Sequence, residues 1–266
     1  MKILQPTHRK VKSLQWFLHL AIIPAIYYST STYWLMVLLT FWLMHGIGSG
    51  IGVHRYYVHN TFSTNKFWQI IFSFFFTISS TGSTVGYILM HLKHHANADT
   101  DKDPHNPKDR FFKTWWGVYD ETKLVFGAKK YIQLLKDPIN RFFHNYYFGI
   151  ILVYVITLII IDPILFVYLY AIPAIMQFHV NAILIALVHT PKYAKMVGGE
   201  RRIETIDKSW NIPWLKPLLL GEEMHNNHHA QPHKATVSIE KSLKDFDPLY
   251  YIIKYIVRGK EVKYNY

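Results

Sequence analysis

Residues 13–54 read SLQWFLHLAIIPAIYYSTSTYWLMVLLTFWLMHGIGSGIGVH and contain no Asp, Glu, Lys or Arg. A helix needs ~20 mostly apolar residues to cross a bilayer. This stretch therefore has room for two passes, with a turn at Ser29-Thr30-Ser31-Thr32. Working outward, residues 142–191 form a second such stretch, whose one charge is Asp162; Asp162-Pro163 marks its turn. Residues 67–92 are a third charge-free block, with room for one pass at most. Ser79-Ser80-Thr81-Gly82-Ser83-Thr84 lies in its middle and suits a lipid-facing helix poorly. The fold expected is an all-α integral membrane protein with four transmembrane helices in two hairpins, at about 13–52 and 145–189. The middle block is then interfacial or buried rather than crossing. No cleavable signal peptide is expected, because the first apolar run passes directly into a second.

Composition agrees. The 266 residues are 50% hydrophobic and only 17% charged, against ~25% charged in an average soluble domain. Intrinsic disorder and fibrous classes are excluded. With no cysteine there is no disulfide framework, thiolate metal site, iron–sulfur cluster or Cys nucleophile, so any metal must bind through His, Asp or Glu. All 29 Lys and Arg lie outside the two hairpins. By the positive-inside rule both termini and the central segment are cytoplasmic. The net charge of +12 is thus read as topology and attraction to membrane lipid. No nucleic-acid recognition motif accompanies it, and nucleic acid is not expected as a partner. The reading is one domain over 1–266, with a cytosolic helical cap from 53–144 and 190–266. Residues 239–259, opened by Asp247-Pro248, read as an amphipathic helix against that cap.

The chemistry lies in the 16 histidines. Three clusters stand out: His54-Arg55-Tyr56-Tyr57-Val58-His59, His91-Leu92-Lys93-His94-His95 and His225-Asn226-Asn227-His228-His229. The second and third share the spacing H-x-x-H-H. Positions i, i+3 and i+4 lie on one helix face, so each is expected to offer three imidazoles to one point, while the first offers two. One divalent ion cannot use eight ligands, so a two-metal centre is the natural count. Clusters one and two can share metals only if the middle block does not cross the membrane; clusters two and three are separated by a hairpin, an even number of crossings. All three then meet on the cytoplasmic side. His189, at the end of the second hairpin, is a ninth candidate. His8, His19, His45, His144 and His179 read as interfacial or hydrogen-bonded helix residues.

Metal-bound imidazoles commonly donate their other N–H to a carboxylate or carbonyl. Asp99, Asp101 and Asp103 follow the second cluster, and Glu222 and Glu223 precede the third. Asp103 and Glu222 are the preferred partners, with His105, His233 and Asn226 as further candidates around the ligands. The series Gly46, Gly48, Gly50 and Gly52 has no preceding soluble strand and reads as close helix packing.

The order HRYYVH, HLKHHANADTDKDPHNP and GEEMHNNHHAQPH resembles the three histidine boxes of the membrane-bound fatty acid desaturases, in their delta-9, stearoyl-CoA desaturase-like branch. The likeness runs from about residue 13 to 257 and includes Asp207-Lys208-Ser209-Trp210-Asn211, similar to an Asp-x-Ser-x-Asn of bacterial members. It implies four membrane helices, a cytosolic cap and a non-haem di-iron centre of two Fe ions. The implied ligands are His54, His59, His91, His94, His95, His189, His225, His228 and His229. It also implies O2 as co-substrate, a fatty acyl substrate on coenzyme A or lipid, and a separate electron donor of ferredoxin or cytochrome b5 type, since no fused cytochrome domain is visible. The implied product is a cis double bond, at the delta-9 position. Two positions depart from the acyl-CoA branch. Ile185 stands where an Asn holds a metal-bound water, and Leu89-Met90 stands where an Arg-Asp pair contacts coenzyme A. The competing readings are a related di-iron hydroxylase, which inserts oxygen, and a His-rich membrane metal transporter, which would place its ligands within the spans.

The parity argument is directly testable. A topology reporter fused after Gly82 is expected to give a cytoplasmic signal; a non-cytoplasmic signal would separate the first two histidine clusters.

Overall fold

The computed structural model describes residues 2–4, 8–108, 110–240, 242–243 and 245–262, without the side chains of 2–4. Lys2, one of the basic residues ahead of the first apolar block, therefore lies outside the described side chains. The chain is mostly helical and divides into two units: Met1–Val53, Gln69–Leu89 and Phe126–His179 in one, and His54–Trp68, Met90–Val125 and Val180–Tyr266 in the other.

Both polar turns form at the expected positions. The Thr30 side chain accepts the Tyr33 N–H and opens Ser31–Val58. Asp162 accepts the Ile164 N–H with Pro163 in the first helical turn, opening Pro163–Leu187, an arrangement favoured because that turn's N–H groups lack intrahelical partners. Among the described residues these two helices, of 28 and 25 residues, are long and apolar enough to cross a membrane. The other arms are broken. Pro138–Asn145 and Tyr147–Ile161 meet at 67° and together pass the same test. Residues 8–27 comprise helices His8–Leu18 and Ile22–Tyr27 joined by a 3-10 turn at His19–Ala21. The helices also overrun the expected hairpin limits at the first box, where the second arm continues to Val58 rather than stopping near 52.

The first unit is built on an apolar core that includes Leu18, Val37, Met44, Tyr147, Tyr168 and Ile172. Tyr168 stacks on Tyr33 with ring centroids 4.5 Å apart and donates to the Ala25 carbonyl at 2.7 Å. The middle block forms two shorter helices, Lys66–Ile78 and Thr84–Asn97. Its break is buried, and its polar groups find protein partners. Gln15 Nε2 donates to the Ser79 and Ser80 carbonyls, Ser80 Oγ meets Tyr170 Oη at 2.7 Å, and the Gly82 N–H donates to Tyr147 Oη. Non-helical backbone in an apolar setting is tolerated only with such internal satisfaction. His144 is held between Ser83 and Tyr131, and His19 Nε2 lies 3.1 Å from His179 Nε2, so these histidines are hydrogen-bonded helix residues.

In the second unit Phe62–Ser63 pairs antiparallel with Lys260–Glu261, in the register Phe62 to Glu261 and Ser63 to Lys260. The amphipathic helix expected over 239–259 is confined to Pro248–Val257; Lys241 and Lys244 lie outside the described residues. Helix formation waits for Asp247, whose side chain accepts the Tyr250 N–H. Asp245 meanwhile draws the Ile239 and Glu240 N–H groups into a loop.

Residues 43–58 are wound as a π-helix, whose bonds run from i to i+5. Its glycines allow close approach. A Cβ on Gly48 would lie 2.5 Å from Phe76 N, and one on Gly52 would lie 2.4 Å from Phe72 Cβ. Gly48→Ala is accordingly expected to lower stability by ~1–3 kcal/mol through overpacking, measured by thermal unfolding in detergent. Gly149→Ala is the neutral control, since nothing lies within 4 Å of its added methyl.

Candidate metal centre

The π-winding solves the spacing of the first box. Residues five apart diverge on an α-helix, but here the His59 N–H bonds the His54 carbonyl at 3.1 Å, and the two rings come within 5.0 Å. The second box ends Thr84–Asn97, where Lys93 Nζ donates to the Lys123 and Val125 carbonyls and fixes the helix rotation. The third forms the short helix His225–Ala230. Its two asparagines are clamps. Asn226 accepts the Arg202 and Ile203 N–H groups and donates to the Ile203 carbonyl; Asn227 bonds Asn211 and the Val237 carbonyl. Asn226 thus positions the backbone of the 202–203 segment.

All nine candidate histidines come together, in two sets. The ligand atoms of His54, His59, His91, His95 and His228 lie within 4.8 Å of one another, and so do those of His94, His189, His225 and His229. Each H-x-x-H-H triad is therefore divided, against the expectation of three imidazoles at one point. The reason is angular. At ~100° per residue, i and i+4 are ~40° apart while i+3 and i+4 differ by ~100°. The outer pair converges, with Nε2 atoms 2.9 Å apart for His91 and His95 and 3.1 Å for His225 and His229. The i+3 member turns to the other set. His228 Nε2 lies 3.0 Å from His54 Nε2 and 3.1 Å from His95 Nε2, and His189 Nε2 lies 3.1 Å from His225 Nε2. The sets adjoin, His95 stacking on His229 at 4.4 Å.

Carboxylates orient four of the rings through Nδ1. Glu222 holds His54 at 2.5 Å, Asp103 holds His94 at 3.0 Å, Asp99 holds His189 at 3.1 Å and Asp207 holds His229 at 3.3 Å. Asp103 and Glu222 were the preferred partners in the sequence. Asp99 was a neighbour of no special standing and Asp207 belonged only to the Asp-x-Ser-x-Asn likeness; nothing in spacing shows that either reaches a histidine across a loop. His105 stands behind Asp103, donating its backbone N–H to Oδ1 at 3.0 Å, with Nδ1 at 3.7 Å. Asp99 adopts a left-handed φ of 60° and gives its N–H to Asp103 Oδ2, while its own Oδ2 takes the Lys208 N–H at 2.6 Å as well as His189. Ile185 falls within the π-wound turn Ile183–Leu187, so its phase relative to His189 is not that of an α-helix.

The electrostatics suit a cation. Burial, followed by the neighbouring imidazoles, pushes His91, His95, His225, His228 and His229 well below the usual histidine range, which keeps them neutral and able to bind metal. Burial opposes ionisation of Asp103, but the His94 contact outweighs it and holds the carboxyl low. Where a carboxylate takes the Nδ1–H, the Nε2 lone pair faces its neighbours. For metal–nitrogen bonds of ~2.1 Å, adjacent ligands stand ~3.0 Å apart in an octahedral arrangement and ~3.4 Å apart in a tetrahedral one. The 2.9–3.1 Å Nε2 separations match the former, and the donor set fits a divalent transition metal.

The profile of the family described as Fatty acid desaturase matches residues 32–242. Delta-9 acyl-lipid desaturase 2 of Arabidopsis thaliana is 26% identical over 89% of this chain and 75% of its own length. The sn-1 stearoyl-lipid 9-desaturase of Anabaena variabilis is 27% identical over 77% of this chain and 74% of its own. Palmitoyl-monogalactosyldiacylglycerol delta-7 desaturase, also from Arabidopsis thaliana, is 25% identical over 79% of this chain and 56% of its own. With a profile match extending over well beyond half of its length, the protein belongs to the fatty acid desaturase family, on its delta-9-like side, and is an enzyme of fatty acid desaturation.

Proposed function

We propose that this protein introduces a cis double bond at the delta-9 position of a saturated C16 or C18 acyl chain carried on a glycerolipid, using two iron ions held by the nine histidines and O2 as co-substrate. The observation that carries the reading is the pair of adjoining histidine-only sets with carboxylate-tied rings. An unactivated methylene has no acidic proton and no leaving group, so acid–base side chains alone cannot attack it. Bound iron and O2 would supply the oxidising power. The histidines hold the ions, Glu222, Asp99, Asp103 and Asp207 hold the histidines, and the apolar helices exclude water and position the chain. A lipid-borne substrate is supported by the acyl-lipid names of the relatives and by Leu89-Met90 in place of an Arg-Asp pair.

Four crossings are proposed, by residues 8–27, Ser31–Val58, the bent pair Pro138–Ile161 and Pro163–Leu187, with both termini and the metal centre cytoplasmic and 1–266 acting as one domain. The charge-free blocks and basic loops support this. The basic surface suits a separate acidic donor of ferredoxin or cytochrome b5 type.

Expression in a desaturase-deficient host, followed by mass spectrometry of derivatised fatty acids, is expected to show a double bond between carbons nine and ten. Hydroxylated chains would favour the hydroxylase reading, and a bond counted from the methyl end would refute the position. Alanine at any of the nine histidines is expected to abolish product and lower bound iron, while His8→Ala leaves both. Asp207→Asn, at the carboxylate that holds His229, is expected to lower activity about 10- to 100-fold.

A further inference from the structure

Asp247 lies beyond the segment matched by the family profile, residues 32–242, and outside every histidine cluster. It is nevertheless fully buried and is joined to the five-histidine set by an unbroken line of charged contacts. Its Oδ2 accepts from Arg55 Nη1 at 2.8 Å. The same guanidinium donates through Nη2 and Nε to Glu222 Oε1 at 2.9 and 3.1 Å. Glu222 Oε2 then takes His54 Nδ1 at 2.5 Å. The Ala235 carbonyl accepts a further Arg55 bond at 2.9 Å. Gly221, at φ +119°, leaves the space this requires, since a Cβ there would lie 2.7 Å from Asp247 Oδ1 and 3.2 Å from Arg55 Nη2.

A guanidinium is a planar fork, so fixing two of its edges on two carboxylates fixes its plane. With Arg55 anchored by Asp247, Glu222 Oε1 is committed to the fork, and its second oxygen can only face His54. Removing the Asp247 charge gives the whole guanidinium to Glu222. That withdraws electron density from the oxygen bonded to His54, which makes the imidazole a weaker donor at Nε2. Removing Arg55 leaves two buried carboxylates with no cation between them, the costlier change.

We infer that Arg55 and Asp247 are positioning residues of the metal centre, and that the C-terminal segment acts through them to set how tightly the five-histidine set holds its ion. The inference rests on the nine-histidine reading. It adds Asp247, a requirement that lies outside the histidine boxes.

The test is a cobalt(II) titration of the metal-depleted full chain, followed by ligand-field absorption and bound-metal analysis. The unaltered protein is expected to take up two ions; one or none would refute the two-metal reading itself, a separate failure. Asp247→Asn keeps the shape and the helix cap while removing the charge. It is expected to leave one ion at full affinity and to weaken the other about 10- to 100-fold, with the same absorption change as Glu222→Gln. Asp207→Asn is expected to weaken the opposite ion. Unaltered affinity for both ions in Asp247→Asn overturns the inference. Equal weakening of both ions also overturns it, because that is the signature of a role in folding alone. If the Asn variant does not fold, Asp247→Ser retains a cap and Arg55→Lys probes the other end of the line. Each is expected to show the same one-site loss, and full retention or equal loss at both sites in the variant that folds overturns the inference.

Discussion

An imidazole has two ring nitrogens, and a metal ligand needs one of them held so that the other keeps its lone pair and points at the ion. In this protein carboxylates do that holding for four of the nine rings. Glu222, Asp103, Asp99 and Asp207 each take an Nδ1, and of the rings so held His54, His189 and His229 bring Nε2 to 3.0–3.1 Å from that of a neighbouring ring. Much of the second unit is arranged to make those ties possible. The Asp99 backbone is bent into the left-handed region beside Asp103 and His189, the 200–212 loop is clamped by Asn211 and Asn226, and Arg55 is buried against Glu222. A carboxylate buried beside a histidine is stable only as part of a fully bonded set, so ligand orientation and loop structure stand or fall together.

The two sets differ in how their members are drawn from the chain. The first box supplies its two histidines to one set by π-winding, and each short H-x-x-H-H helix supplies an i, i+4 pair to one set and its middle histidine to the other. Neither set can form from one helix. The second and third boxes are interlocked, since His228 completes the set built on His91 and His95, and His94 completes the set built on His225 and His229. Loss of the second or third box therefore damages both sets, loss of the first damages one, and loss of a single carboxylate weakens one ring directly.

The apolar helices are less regular than their composition implies. The apolar blocks at 13–54 and 142–191 yield two unbroken helices of spanning length, while their partner arms are interrupted at His19–Ala21 and at Tyr146. Hydropathy measures the free energy of burying a segment in lipid; it carries no information about a kink, a 3-10 turn or a π-bulge, which are settled by side chains packing on that segment. Gly48 and Gly52 illustrate this. Their spacing announces close packing, but only the placement of Phe72 and Phe76 shows what packs there.

The sequence by itself determined the chemical type of the donors, imidazole with no thiolate. Eight histidines in fixed spacings, no cysteine, charge-free blocks of membrane length and the order of the three boxes are local properties, and local properties survive in a linear string. Asp103 and Glu222 were legible for the same reason, lying close in sequence to a box, although the ring Glu222 holds is His54 of the distant first box. The tertiary structure alone decided how the nine are shared, because the division depends on ~100° of helical phase and on which helix faces which. It also decided that Asp99 ties His189, that Asp207 ties His229 and that Asn226 clamps a loop. Above all it joined Asp247 to Arg55. A buried charge must find its counter-charge wherever the fold brings one, and that partner's distance along the chain has no physical bearing on the choice.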